Sequence, residues 1–474
     1  MGVVMGIDLG TSYFKVALVR EDGSLLGLGR RAVRVQSPYP GYQELPLPQF
    51  VDLVEQTVGD AFAGSGLAFG DISAVSYSSQ ANTFALFDSS MKPLTPLIIW
   101  SDSRVSAASR EVESFCADTA LLEKTGMGLF SAQLCVAKLS WFRHAQPEIW
   151  RATRFVLTIS DLLLFLLTGC RVGDSSTASL LGIWDVNTER YWREGLDVLE
   201  LHPELFAALY RPATVVGTAD SEFARRLGLR RSAVAVAGSL DHLAAALGAG
   251  IGYLGPAAES TGTVLAALGL IDRFAVEQGT SVGPYLSAGR FYKLAFCEHG
   301  AGALEWYRRS YAPELTLARL TELAAGVPAG SEGLTARPGV QRYPDLEGFQ
   351  ANRQSEQPYR HGHYVRALME HGAVMLRSLL RRALDGGSPE SVISTGGGAQ
   401  NDLWLQIKAD VVGCDFVRTD CAEPGSLGAA MYAACGAGWF TSVEQAGRAW
   451  LSVNARFSPD QARLSEYRAL FEQS

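Results

Sequence analysis

Two segments of this chain share one plan, and that repetition limits its possible folds more than any other feature. Val3-Val4-Met5-Gly6-Ile7-Asp8-Leu9-Gly10-Thr11-Ser12, followed by Tyr13 to Arg20, reads as an apolar strand, a polar Gly-Thr corner and a second strand. Ala257-Ala258-Glu259-Ser260-Thr261-Gly262-Thr263-Val264 followed by Leu265 to Leu270 repeats it in the other half. The N–H and hydroxyl groups of such a corner can grip an anion. One Gly-Thr turn is ordinary. Two in the same context predict a duplicated domain with phosphate held between the copies.

The residues able to do chemistry cluster around strand ends. Val234 to Ala237 reads as a buried strand, Gly238-Ser239 as a turn, and His242 to Leu247 as a helix, which sets Asp241 at a strand-to-helix corner. A carboxylate there is favoured by free backbone N–H groups and could accept a proton from a substrate hydroxyl; equally, it could simply cap the helix. Asp8 closes its strand beside Gly10-Thr11, where a nucleotide site would use an acid to hold Mg²⁺ through water. The alternative is an acid bonding its own backbone in a turn. Ser78-Ser79-Gln80-Ala81-Asn82-Thr83 lies between apolar runs, and its amides and hydroxyls suit sugar hydroxyls, although a surface loop has the same composition. Ser391 to Thr395, then Gly396-Gly397-Gly398 and a helix start near Asn401, would let a flat ligand lie on the backbone, with the helix N-terminus facing phosphate or ribose. Glu423-Pro424-Gly425-Ser426-Leu427-Gly428-Ala429-Ala430 predicts a turn into a close-packed helix. Pro212 to Ala219 is the expected passage between two closely joined halves.

Composition removes other classes. The chain has 474 residues, 47% of them hydrophobic and 19% charged, enough for a large core in two domains. A net charge of −8 without long runs of lysine or arginine argues against nucleic acid. Seven scattered cysteines without a C-x-x-C pair predict a reduced, cytoplasmic protein. No apolar run is long enough to cross a bilayer, and no third ligand joins His361 and His363 in a zinc pattern. The P-loop and protein-kinase patterns are both missing, so phosphate transfer would need another architecture.

Gly6-Ile7-Asp8-Leu9-Gly10-Thr11, Gly238-Ser239-Leu240-Asp241, Gly248-Ala249-Gly250, Gly262-Thr263, Gly396-Gly397-Gly398-Ala399-Gln400-Asn401 with Trp404 to Asp410, and Glu423 to Ala430 together resemble the FGGY carbohydrate kinases. Within that family the chain looks most similar to xylulokinases. The resemblance implies an α/β fold of two actin-like (ribonuclease H-like) domains, each a mixed sheet flanked by helices, with ATP and sugar meeting in the cleft between them. It divides the chain at 1–236, on the sugar side, and 237–474, on the ATP side. Carried over, Asp241 would be the general base, and Asp8 with Asp241 would place Mg²⁺. Gly10, Thr11, Ser12, Gly262 and Thr263 would hold phosphates, and Gly396, Gly397, Gly398 and Asn401 would line the adenosine pocket. Gln80, Ala81 and Asn82 stand where xylulokinases carry Gln-Met-His against the sugar. The Ala-Asn pair removes an imidazole, and Val264 replaces the Ser or Thr that commonly follows Gly-Thr. The implied partners are a small sugar and ATP, with a homodimer as the expected assembly if the chain self-associates.

Overall fold

The computed structural model describes residues 2–105, 110–128, 134–262, 264–297, 300–343, 345–351 and 358–471. The chain forms two compact units. The first comprises Met1–Gly248, Ile271–Tyr292 and Cys421–Leu451; the second comprises Ala249–Leu270, Lys293–Asp420 and Ser452–Ser474. This division by packing differs from the expected single cut after residue 236. Ser239–Leu240 pairs in parallel with Ile72–Ser79, and the helix Pro424–Gly436 packs on the strand Val3–Leu9, so both segments belong to the first unit.

In the first unit the strands lie in the order Val215–Thr218, Leu229–Val236, Ile72–Ser79, Val3–Leu9, Tyr13–Arg20, Leu25–Ala32. The three central ones are parallel, while the outer pairings are antiparallel. Pro212 to Ala219, expected as a passage between halves, instead supplies the edge strand Val215–Thr218. Side chains alternate across this sheet with the period of two that a strand imposes. Val3, Met5, Ile7 and Leu9, with Phe14, Val16 and Leu18, fill a core that includes Phe50 and Val54 of the helix Leu47–Phe62. Val4, Ala17, Val19 and Ala74 face Ala430, Ala433 and Ala434 on the opposite side. The second side is built of small residues because the helix comes almost to backbone contact there. A methyl group at Gly6 would collide with the Ser426 carbonyl, and one at Gly248 with that of Pro424.

The second unit repeats the arrangement. Leu265–Ile271 is antiparallel to Ala257–Thr261, which is parallel to Ser391–Thr395; that strand is parallel to Asp415–Thr419, and Val453–Phe457 closes the edge antiparallel. A hairpin, two parallel strands and one antiparallel edge strand therefore occur in the same order in both sheets. The duplication expected from the two hairpins is a duplication of topology. The long helix His361–Ala383 packs with Leu317–Ala325 and Asp402–Val412 beside the second sheet, around Leu368, Met369, Trp404 and Ile407.

Candidate active site

Parallel pairing in the first unit sets three side chains in a row. Asp8 lies opposite Ser78, and Ser78 lies opposite Ser239, so the C-terminal ends of three neighbouring strands coincide. Ligands of open α/β sheets gather outside such strand ends. Asp8 projects to the side of the helix Pro424–Gly436, because it shares the pleat face of Val4 and Gly6. A methyl group at Gly425 would stand 2.9 Å from its carboxyl carbon. Its carboxylate accepts a 2.8 Å hydrogen bond from Ser78 Oγ and lies 3.8 Å from Lys15 Nζ, which pairs at 2.7 Å with Glu423. Burial pushes the Asp8 carboxyl up to about 6. The Ser78 bond and Lys15 pull against burial, while the charges of Asp241 and Glu423 add to it.

Asp241 opens the helix Asp241–Ala249, two residues beyond the Ser239 pairing, and is half-buried. Its Oδ1 accepts the His242 N–H at 2.8 Å, which leaves the other oxygen for a proton or an ion. Two acids thus stand within electrostatic reach of each other at the ends of the strands that flank Ile72–Ser79, one buried and one half-buried. Among the described residues, no group of three or more His, Cys, Asp or Glu could cage a metal. A pair of carboxylates nevertheless suits Mg²⁺, which keeps much of its water and takes one or two carboxylates plus substrate phosphate oxygens.

The Gly10 corner and the polar loop are joined. Gln80 Oε1 accepts from Thr83 Oγ1 at 3.0 Å and from Thr11 Oγ1 at 3.4 Å, and Gln80 Nε2 donates to the Gly10 carbonyl. Trp100 Nε1 donates to Thr11 Oγ1 at 2.8 Å while its ring stays 40% exposed. Buried Lys138 holds that segment by donating to the carbonyls of Ile99 and Trp100. Ser12 is exposed and Ala81 half-buried. Asn82 adopts a left-handed conformation (φ 62°), tolerable for asparagine, and its amide is bound at both ends, to the Leu180 carbonyl and the Cys135 N–H. It therefore fixes the loop as well as lining it.

In the second unit, Gly262 N donates to the Val264 carbonyl, closing the hairpin, and Val264 is exposed at the tip. Thr263 lies outside the described residues. Gly396 has φ 77°, and a methyl group there would press on the Thr261 carbonyl, whereas Gly397 faces open space. Gly397–Gln400 forms a 3₁₀ turn that leads into the helix expected to start near Asn401. The helix begins at Asp402 and is capped by Asn401, whose Oδ1 accepts the Trp404 N–H and whose Nδ2 donates to Thr321. Beneath both corners lies a fully buried ion pair, Lys408 Nζ to Glu259 Oε1 at 2.7 Å, with Thr261 Oγ1 bonded to both partners. Sequence reading did not single out Lys408 or Glu259. The signal available was a lysine four residues after Trp404, one helical turn on, whose charge lies 5.0 Å from that indole ring.

Two topologically equivalent mixed sheets, one with acids at its strand ends, define an actin-like α/β protein. The model described as the FGGY family of carbohydrate kinases, N-terminal domain, matches residues 3–248, and its C-terminal counterpart matches residues 281–437. A xylulose kinase of Bacillus subtilis (strain 168) is 26% identical over 484 residues, covering 100% of this chain and 96% of that protein. An autoinducer-2 kinase of Klebsiella pneumoniae subsp. pneumoniae is also 26% identical, over 502 residues, covering 100% and 92%. The crystal structure of xylulose kinase from Rhodospirillum rubrum has a TM-score of 0.86 at 25% identity, covering 99% of this chain and 97% of that one. The chain belongs to the FGGY family of carbohydrate kinases and is a phosphotransferase, a sugar kinase similar to xylulose kinases.

Proposed function

We propose that the chain transfers the γ-phosphoryl group of ATP to a hydroxyl of a ketose, a xylulose-like pentulose, with Asp241 as general base. The observation carrying this reading is the row Asp8, Ser78, Ser239, which brings Asp8 and, two residues past Ser239, Asp241 to the ends of the strands on either side of Ile72–Ser79, beside the polar loop Gln80 to Thr83. Asp241 keeps an oxygen free to take the acceptor's proton. The transition state of phosphoryl transfer is loose, so the proton leaves late and a carboxylate suffices as its acceptor. Asp8 and Asp241 would hold Mg²⁺, which when bound supplies positive charge to the phosphate oxygens. Gly10, Thr11, Ser12, Gly262 and Thr263 would donate to the phosphates, Gly396 to Gly398 with Asn401 would receive adenosine, and Gln80, Ala81 and Asn82 would face the sugar. We assign the chain to the cytoplasm on its seven scattered cysteines, none of them in a C-x-x-C pair; among the described residues no helix is long and apolar enough to cross a membrane. A homodimer is the proposed assembly, and sedimentation equilibrium tests it.

The decisive experiment is ADP release with D-xylulose as acceptor. Asp241→Asn should abolish turnover while leaving ATP binding in place; near-normal turnover in that variant refutes the assignment. A second reading, a kinase for another sugar or a polyol, is favoured by Ala81 and by the tethered amide of Asn82, which leave no imidazole in the loop. Two relatives of equal identity carry names with different acceptors, so identity does not choose. A panel of ketoses, aldoses and polyols chooses between them. No acceptor above the ATPase background would instead favour a catalytically impaired sugar- or nucleotide-sensing protein.

A further inference from the structure

Behind Asp241 in the first unit lies a buried polar network that the proposed reaction does not use directly. Asp174 ends the strand Val172–Asp174, caps the short helix Ser175–Ser179 and is 1% exposed. Its carboxylate accepts from Tyr77 Oη at 2.8 Å, from Ser176 Oγ at 2.6 Å and from the Thr177 N–H at 2.7 Å. Three donors suit an ionised carboxylate; burial pushes its pKa up while these bonds pull it back. Ser176 has a single hydroxyl proton, and at that short distance the proton goes to Asp174. The Ser176 oxygen is therefore left as an acceptor, and at 3.0 Å it receives the N–H of Leu240, the residue before Asp241.

The hydrogen-bond directions thus run one way, from Leu240 N–H to Ser176 to Asp174, with Tyr77 completing the carboxylate. Other groups hold the same corner. Tyr292 Oη donates to the Ser176 carbonyl and lies 3.1 Å from Ser179 Oγ, and Ser239 Oγ lies 2.7 Å from Tyr432 Oη. Every one of these side chains is buried. The strand Ser239–Leu240 is only two residues long, too short for ladder hydrogen bonds alone to fix its end.

The geometry points to Asp174 and Ser176 as positioning residues for the phosphoryl transfer, orienting the Ser239–Leu240 peptide that leads into Asp241 so that the Asp241 carboxylate meets the acceptor hydroxyl. This inference rests on the reading of Asp241 as the base. Without the Ser176 hydroxyl, the Leu240 N–H becomes a buried donor with no acceptor, and the corner turns to find one. A displacement of about 1 Å at a reacting group costs on the order of 100-fold in rate.

The test compares Ser176→Ala, Tyr77→Phe and Asp241→Asn, using the acceptor that gives most ADP release in a panel that includes D-xylulose. In Ser176→Ala, kcat should fall about 10- to 100-fold, with the KM for ATP unchanged. Deuterium exchange should quicken only in the peptide covering residues 239–243. Tyr77→Phe keeps the ring and removes one of the three donors, so it should fall in the same direction by less. Unchanged kcat and unchanged exchange in both relay variants, with Asp241→Asn inactive, overturn the inference and leave the base in place. A lowered melting temperature with exchange quickened throughout the unit, and KM for both substrates raised, also overturns it, because Ser176 is then only structural. Full activity of Asp241→Asn removes the base itself, and localised exchange in Ser176→Ala would then report a held corner with no catalytic consequence, which again overturns the positioning role.

Discussion

Asp161 shows how far a single side chain can be driven from its ordinary behaviour. It closes a capping box with Thr158 at the start of the helix Ile159–Thr168 and is buried beside the Gly173 backbone. Burial pushes its carboxyl up to about 7; hydrogen bonds from Thr158 oppose this, and the charge of Asp174 adds to it. The unfolded chain releases this proton near pH 4, whereas the folded chain keeps it until about pH 7. The folded state therefore binds more protons over that interval, and stability falls as pH rises from about 4 to about 7, then levels. At about 1.4 kcal/mol per pKa unit the loss is on the order of 4 kcal/mol. Asp161→Asn keeps an oxygen for the Thr158 N–H and carries no charge. Urea denaturation at pH 4.5 and 8 should show this variant with a flatter dependence than the parent chain; identical slopes would mean that Asp161 does not supply it.

Helix packing in the first unit depends on the absence of side-chain atoms. The helices Asp241–Ala249 and Pro424–Gly436 meet through Gly248 and Gly428, where an added methyl would strike Pro424, or Ala244 and the Gly248 backbone. Gly248→Ala must part these helices, costing about 1–3 kcal/mol as overpacking usually does, and through Gly425 the shift would reach Asp8. Gly59 provides the contrast: it lies inside the helix Leu47–Phe62 with nothing within 4 Å of an added methyl. Gly59→Ala should therefore stabilise by about 0.5–1 kcal/mol. Thermal melts of the two variants should move in opposite directions, and a neutral Gly248→Ala would show that the contact can relax. The same elements show what the sequence makes legible. The hairpin at Asp8, the corner at Asp241 and the three-glycine turn follow from strand periodicity and turn chemistry, which are local. The Leu240–Ser176 bond, the Lys408–Glu259 pair and the tethering of Asn82 join residues far apart in the chain, and no local pattern encodes such pairings. Pro212 to Ala219 was open to misreading for a related reason: an edge strand of four half-buried or exposed residues lacks the apolar run of a central one.

At the scale of the molecule, the first unit is completed by a segment near the other end of the chain. Small residues Val4, Ala17, Val19 and Ala74 form one face of its sheet, and that face is covered by Ala430, Ala433 and Ala434. Cutting the chain after residue 236 would remove this cover together with Ser239–Leu240 and the helix that carries Asp241. Cutting after Gly248, where the N-terminal family match ends, keeps the acid but still strips the face. An uncovered apolar sheet face on this scale drives association. A fragment of residues 1–248 should accordingly bind a hydrophobic dye, elute as aggregates and melt without a cooperative transition. Co-expression with 249–474 returns the helix Pro424–Gly436 to its sheet and should restore a cooperative melt. A monomeric 1–248 fragment with its own sharp transition would mean that the sheet closes without that helix, and the close approach at Gly6 and Gly248 would then serve the position of Asp8 and Asp241 alone.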